Sequence, residues 1–141
     1  MTRISSTVRP IELCDKMLIA EHREIIRIPN CINSGKAKVI IKDIPAQYKL
    51  GSGHVKFFYD KLYYLYKRYC DLYDECIKRG FNVQDYSLVF ENVPDNLFND
   101  WQPDHNLVRP IIVQRINERL GTMKNIKYYG KDFELEKIKL C

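Results

Sequence analysis

The chain has 141 residues, of which 45% are hydrophobic and 29% charged, and ten are tyrosines. This length predicts a single domain over residues 1–141, long enough to bury about two thirds of its unfolded surface in one core. No apolar run approaches the ~20 residues that cross a bilayer, and no apolar leader opens the chain. We therefore expect neither a transmembrane nor a secreted protein.

The formal net charge of +5 is spread unevenly along the chain. Residues 81–108 contain five acidic residues and no lysine or arginine. Residues 31–80 carry ten basic residues against five acidic ones, and residues 109–141 carry eight against four. A positive surface of this kind suits a polyanionic partner such as nucleic acid, although many soluble proteins reach the same charge without binding one.

The first ten residues, MTRISSTVRP, hold two arginines and no acidic residue. Because Met1 is normally removed when a small residue follows it, we expect a mature chain that begins at Thr2, with a free α-amine beside Arg3. An α-amine has a pKa of about 7.7–8.0, against about 10.4 for lysine, so far more of it is the nucleophilic free base at neutral pH. Such an amine can attack an electrophilic carbon and form a Schiff base.

The first predicted helix covers IELCDKMLIAEHREIIR, residues 11–27. Its apolar residues at helical spacing are Ile11, Cys14, Leu18 and Ile25. Pro10 suits the first turn of this helix, and Pro29 predicts its end.

A charged stripe runs along the same predicted helix. At about 100° per residue, Lys16, Arg23 and Arg27 fall on one face, with the small Ala20 leaving a gap between them. Glu24 lies on the shoulder of the stripe. The pattern is typical either of ion pairs on a solvated face or of a phosphate-binding face with one acid near a reacting centre.

The second predicted helix begins after Gly51-Ser52-Gly53 and ends at Gly80, a left-handed cap. Its core stripe steps by alternating fours and threes through Phe58, Leu62, Leu65, Tyr69, Leu72 and Cys76. A tyrosine row beside the stripe, formed by Tyr59, Tyr63, Tyr66 and Tyr73, indicates either a wide buried face or an aromatic platform for bases. The preceding KVIIKDI, residues 38–44, has no partner strand in the sequence, so we expect a loop there.

The third predicted helix, RPIIVQRINERLG, buries Ile112, Ile116 and Leu120 and ends at Gly121. Arg115 and Arg119 are four residues apart and share a face. This face is either solvated or a second wall for a DNA backbone. In the acidic connector before this helix, over residues 82–108, we expect Trp101 to anchor the loop onto the core.

The five cysteines include no C-x-x-C pair, and Cys70 and Cys76 are separated by about 9 Å of helical rise, too far for a disulfide. The three histidines are scattered, so no zinc-ligand spacing appears. We expect reduced thiols, an intracellular setting, no metal and no cofactor. Three helices with long connections predict an all-α fold.

Five segments, in this order, carry a resemblance to a known family: MTRI at 1–4, LIAEHREIIR at 18–27, LGSGHVKFFYDKL at 50–62, ECIKRGFN at 75–82 and KYYGK at 127–131. The chain resembles the pyrimidine-dimer DNA glycosylase/AP lyases of the phage endonuclease V type. The resemblance implies one compact all-α domain that acts, as a monomer, on double-stranded DNA containing cyclobutane pyrimidine dimers or abasic sites.

The resemblance also implies roles for single residues. Thr2 matches the nucleophile, whose amine attacks the 5′ sugar of the dimer, and Glu24 matches the acid that stabilises the imine. The imine then permits β-elimination, which nicks the strand. The residues expected to contact DNA are Arg3, Lys16, Arg23, Arg27, Arg115 and Arg119, the last standing where the family has a lysine.

The sequence departs from the family pattern in three places. Lys16-Met17 replaces a Gln-His pair, Asn125-Ile126 replaces Trp-Tyr, and the tail DFELEKIKLC extends past the usual end. The amine chemistry survives these changes, whereas strict dimer specificity does not follow from the sequence. A general abasic-site lyase and a non-catalytic helical DNA-binding module remain alternatives.

Overall fold

The regular secondary structure of the protein is mainly helical, as a computed structural model of the chain shows. The structure describes residues 2–141; Met1, whose removal we expect, lies outside the described residues. The α-helices are α1 (Asp15–Glu24), α2 (Arg27–Asn33), α3 (His54–Phe57), α4 (Leu62–Lys78), α5 (His105–Thr122) and α6 (Leu135–Ile138). Two short antiparallel strands, β1 (Lys127–Tyr128) and β2 (Lys131–Asp132), form a hairpin with Tyr128 opposite Lys131. The all-α prediction is confirmed.

The core lies between α1, α4 and α5. All six residues of the stripe predicted on the second helix are buried, with at most 1% of their surface exposed. Ile112, Ile116 and Leu120 of α5 are buried as predicted. None of the helices in residues 2–141 is long and apolar enough to cross a membrane.

The first predicted helix is in fact three pieces, and its predicted limits were wrong. Pro10 opens a 3₁₀ turn (Pro10–Glu12), and α1 begins only at Asp15. Residues 25–26 form a turn between α1 and α2, and Pro29 is the third residue of α2. Proline is tolerated there because the first four N–H groups of a helix have no intrahelical acceptor, so Pro29 does not stop the helix.

The second predicted helix is interrupted at residues 58–61, between α3 and α4. Asn99, in the acidic connector, supplies hydrogen bonds at this break. Its carbonyl accepts the Tyr64 N–H at 3.3 Å, and its side-chain amide donates to the Asp60 carbonyl at 3.0 Å. Gly80 has a φ of 84°, the left-handed conformation predicted for the helix cap.

The third predicted helix begins earlier than expected. Asp104 caps α5 by accepting the Asn106 N–H at 3.0 Å, so the helix starts at His105. It continues through Gly121 to Thr122, one residue past the predicted stop.

The connections also follow most of the predictions. KVIIKDI forms no strand and contains only a 3₁₀ turn (Ile41–Asp43), as expected. Trp101 packs on the rings of Tyr48, Phe57 and Tyr64 and anchors the connector to the core. Tyr66 packs against Phe90 of the connector. For this part of the tyrosine row, the structure favours a wide packed face.

The hairpin at KYYGK was not predicted, and it is tied to the core through Arg79. The guanidinium of Arg79 is buried and lies 4.6 and 4.7 Å from the ring centres of Tyr128 and Tyr129. It also pairs with Asp15 at 2.9 Å, and Asp15 accepts the Tyr129 and Gly130 N–H groups. These contacts hold the hairpin against the start of α1.

Candidate active site

A cavity of about 740 Å³ lies between the N-terminal segment, α1 and α5. Its polar wall contains five basic side chains and one carboxylate that the sequence singled out: Arg3, Lys16, Arg23, Arg115, Arg119 and Glu24. Its apolar wall is formed by Met17, Ile19, Ala20, Ile116 and Met123. The cavity therefore offers an apolar surface beside a strongly positive one, which suits an anionic ligand with a flat or apolar part.

Two of the predicted residues lie beside this cavity without being part of its wall. Thr2 is buried and directly precedes Arg3, and Ser5 also lines the cavity, so the N-terminal segment runs along it. Arg27 belongs to α2, and its guanidinium lies 3.5 Å from the Glu24 carboxylate. Arg27 therefore lies outside the cavity wall but next to Glu24.

Arg3 lies within the influence of two other positive charges at the cavity, those of Arg115 and Arg119. Partial burial lowers the pKa of its guanidinium, and the charges of Arg115 and Arg119 lower this pKa further, while Tyr48 and Glu24 oppose the shift. Arginine nevertheless stays protonated. The mutual repulsion of these cations is relieved when an anion enters, so the cavity favours a phosphate-bearing ligand.

Two carboxylates face the cavity, and the structure gives them different surroundings. Glu21 is buried and paired with Arg68, whose Nε and Nη2 donate to it at 2.7 and 3.1 Å. Glu24 is one helical turn later, and its ion pair in residues 2–141 is the half-exposed one with Arg27. Because Glu21 is already engaged by a buried cation, Glu24 is the carboxylate available to a ligand.

Sequence reasoning missed the residues that hold the N-terminal segment in place. The Ile4 N–H donates to His54 Nε2 at 2.8 Å, and the Tyr48 hydroxyl donates to the Ile4 carbonyl at 2.9 Å. The next N–H, that of Ser5, donates to Glu21 at 3.3 Å. These partners are separated from the segment by 16 to 50 residues, so no periodic signal marks them. The sequence offered one indication of their importance: His54 lies in LGSGHVKFFYDKL, one of the five segments that carry the family resemblance.

His54 accepts the Ile4 N–H as a neutral imidazole. Its Nδ1 lies 2.8 Å from the Lys49 carbonyl and donates to it, which leaves Nε2 as the acceptor for the Ile4 N–H. Burial lowers the pKa of His54, the Lys49 hydrogen bond raises it, Arg3 lowers it and Glu21 raises it. The net lowering of the pKa favours the neutral imidazole, and the two hydrogen bonds select the tautomer that carries its proton on Nδ1.

A second depression of about 440 Å³ adjoins the first and shares Lys16, Ile19 and Met123 with it. Its other lining residues include Lys124 and Lys127, which extend the basic rim toward the hairpin. Ile126 between them is buried in the core. Of the Asn125-Ile126 pair, which replaces Trp-Tyr of the family pattern, Ile126 therefore packs in the core.

One protein family, described as pyrimidine dimer DNA glycosylase, matches residues 1–87 of the chain. This matched part is more than half of the chain and contains the N-terminal segment, α1 and α4. The helix α5, which brings Arg115 and Arg119 to the cavity, lies outside it. The family resemblance read from the sequence is confirmed.

Proposed function

The chain belongs to the pyrimidine dimer DNA glycosylase family, and from this membership we propose a two-step repair reaction on UV-damaged duplex DNA. In the first step the enzyme cuts the glycosidic bond of the 5′ nucleotide of a cyclobutane pyrimidine dimer. In the second it nicks the strand at the resulting site by β-elimination. We propose further that residues 1–141 act as one catalytic domain.

The first step uses the α-amine of Thr2 as the nucleophile. Its nitrogen bonds to C1′ of the deoxyribose, the C1′–N bond to the base breaks, and the base leaves with that electron pair and takes up a proton. Loss of the bond between C1′ and the ring oxygen then gives the protonated imine, and the ring oxygen becomes a hydroxyl. Glu24 carries the protons and stabilises the cation that forms.

The second step follows from the imine. The positive nitrogen draws electrons from C1′, so a base can remove a proton from C2′. A double bond then forms between C2′ and C3′, and the C3′–oxygen bond breaks with departure of the 3′ phosphate. Water finally releases the sugar fragment from Thr2. Apart from this water, both steps use only groups of the protein and the DNA.

The basic wall of the cavity is suited to hold the damaged strand. Arg3, Arg115 and Arg119 converge from two ends of the chain, and Lys16 and Arg23 come from α1. We propose that they contact the phosphates and sugar around the lesion, with Arg27 gripping the backbone beside Glu24. A single chain supplies all of these residues, so a monomer suffices.

One observation carries the proposal: the residue after Thr2 and the carboxylate of Glu24 line the same cavity. A nucleophilic amine, a proton-transferring acid and several phosphate-binding cations are the groups that the chemistry requires. A family whose described activity is dimer excision matches the part of the chain that holds the first two.

The direct test is borohydride trapping on duplex DNA that contains either a dimer or an abasic site. Protein whose mass shows that Met1 has been removed should give a covalent adduct that maps to Thr2. The matched control is the same protein acetylated at its α-amine, which should bind DNA and form no adduct. Absence of an adduct with the free amine on both substrates would refute the proposal.

A second candidate, a general abasic-site lyase, is favoured by one specific observation. Met17 lines the cavity where the family has a hydrogen-bonding histidine, so a polar contact to the dimer is replaced by an apolar one. Comparing cleavage of dimer and plain abasic duplexes separates the two activities. Equal binding and no cleavage of either duplex would instead favour a DNA-binding module.

A further inference from the structure

The backbone N–H and the carbonyl of Ile4 both form hydrogen bonds with buried side chains from a distant part of the chain. His54 accepts the Ile4 N–H and Tyr48 donates to the Ile4 carbonyl, at 2.8 and 2.9 Å. Both partners belong to the segment between α2 and α4, and both are buried. The backbone of Ile4, which lies outside any helix or strand, is thereby fixed by one hydrogen bond that it donates and one that it accepts.

The two gripping side chains are themselves held rigidly. Their rings meet edge to face at a centre-to-centre distance of 5.5 Å, and both also pack edge to face on Phe58. The Nδ1–H of His54 is anchored on the Lys49 carbonyl. Neither ring can change rotamer without opening the core.

We propose that His54 and Tyr48 are positioning residues for amine attack, which they serve by fixing Ile4 and thereby the place of Thr2. This inference rests on the proposed function, because it gives the Thr2 amine a task. Consecutive Cα atoms are about 3.8 Å apart, so Thr2 can move only within a short radius of a fixed Ile4. A chain terminus without such contacts would fray.

The physical reason is the sensitivity of nucleophilic attack to geometry. A displacement of about 1 Å in a reacting group can cost about 100-fold in rate. The neighbouring contact from the Ser5 N–H to Glu21 adds a third fixed point, and Arg68 holds Glu21 in turn. The segment that carries the amine is therefore fixed before DNA binds.

The alternative is that these hydrogen bonds only stabilise the fold. Tyr48→Phe tests this with a minimal change, since it removes one hydroxyl and keeps the ring. Tyr69→Phe is the matched control: Tyr69 is also buried, and its hydroxyl accepts the Tyr86 N–H at 2.6 Å and contacts His22 at 3.2 Å. The control loses at least as many hydrogen bonds, and their partners, Tyr86 and His22, do not belong to the N-terminal segment.

The measurement is the single-turnover rate of borohydride-trapped adduct on an abasic duplex, beside the Kd for the same duplex carrying a stable tetrahydrofuran site. We expect Tyr48→Phe to slow trapping by about tenfold or more while its Kd stays within about twofold of the wild-type value. Tyr69→Phe should lower the thermal midpoint without changing the trapping rate. His54→Gln, which keeps an acceptor for the Ile4 N–H, should retain more activity than His54→Phe.

The outcomes separate this inference from the function on which it rests. If the wild-type protein traps DNA and Tyr48→Phe traps it equally fast, the positioning role is wrong and the amine chemistry stands. A trapping rate that falls equally in Tyr48→Phe and Tyr69→Phe also overturns it, since only stability is then involved. If the wild-type protein forms no adduct, the proposed function and the positioning role fail together.

Discussion

Glu21 and Arg68 form a buried ion pair directly behind the candidate active site, with the Arg68 Nε 2.7 Å from a Glu21 carboxylate oxygen. Arg68 also donates to the Val8 carbonyl, and Glu21 accepts the Ser5 N–H. The pair therefore joins α1, α4 and the N-terminal segment. The other carboxylate at the cavity, Glu24, pairs instead with the half-exposed Arg27.

Breaking this pair should destabilise the protein strongly. Replacing Arg68 with methionine leaves Glu21 buried without its cation, and such changes typically cost about 3–5 kcal/mol. The measurement is the free energy of unfolding from urea denaturation. Arg27→Ala, which breaks the half-exposed pair with Glu24, is the control and should cost less than about 1 kcal/mol. Equal losses for both variants would contradict the structural role.

Glu24→Gln should separate binding from turnover. The amide keeps the size of the side chain and cannot carry protons, so we expect unchanged DNA affinity and a loss of about 10²–10⁴-fold in single-turnover rate. Glu91→Gln, at an exposed site in the connector, is the control and should leave both quantities unchanged. Full activity of Glu24→Gln would remove this residue from the mechanism.

Arg27→Ala should reduce the salt dependence of DNA binding. If Arg27 contacts one phosphate, the slope of log K against log salt concentration should fall by about 1. Arg9→Ala removes an equally charged side chain from the residue just before the 3₁₀ turn, outside the cavity wall, and should leave the slope unchanged. Identical slopes for the wild type and Arg27→Ala would place Arg27 outside the interface.

The stability of the protein should fall in mild acid because of His54. Burial lowers the pKa of His54 in the folded state, while the unfolded chain keeps a value of about 6.5. The unfolded state then binds more protons below that pH, so the stability present at neutral pH is lost as the pH falls from about 6.5 through the folded pKa. His22, whose pKa is also lowered by burial, acts in the same direction.

This acid sensitivity can be measured as the difference in free energy of unfolding between pH 7.5 and pH 5. His54→Gln, which cannot be protonated, should show a smaller difference than the wild type, whereas His105→Gln at an exposed site should not. A difference unchanged in His54→Gln would mean that another group causes the loss.

The sequence by itself determined the helical class and the buried stripe of α4. The 4-3-4-3-4 spacing of apolar residues predicts a helix with one face in the core. All six members of the stripe are buried; five belong to α4, and Phe58 lies in the break before it. The five motifs, read in order, also predicted the family, and four of them lie in the part of the chain that the family matches. These features are local or linear, so they can be read along the chain.

Only the tertiary structure decided how the helices are broken and what meets at the cavity. Asn99, far along the chain, makes hydrogen bonds at the break before α4, and Arg115 lines the same cavity as Arg3 because α5 packs beside the N-terminal segment. The hydrogen bonds from His54 and Tyr48 to Ile4 span 50 and 44 residues. Contacts between such distant groups depend on how whole elements pack, and they leave no periodicity in the sequence.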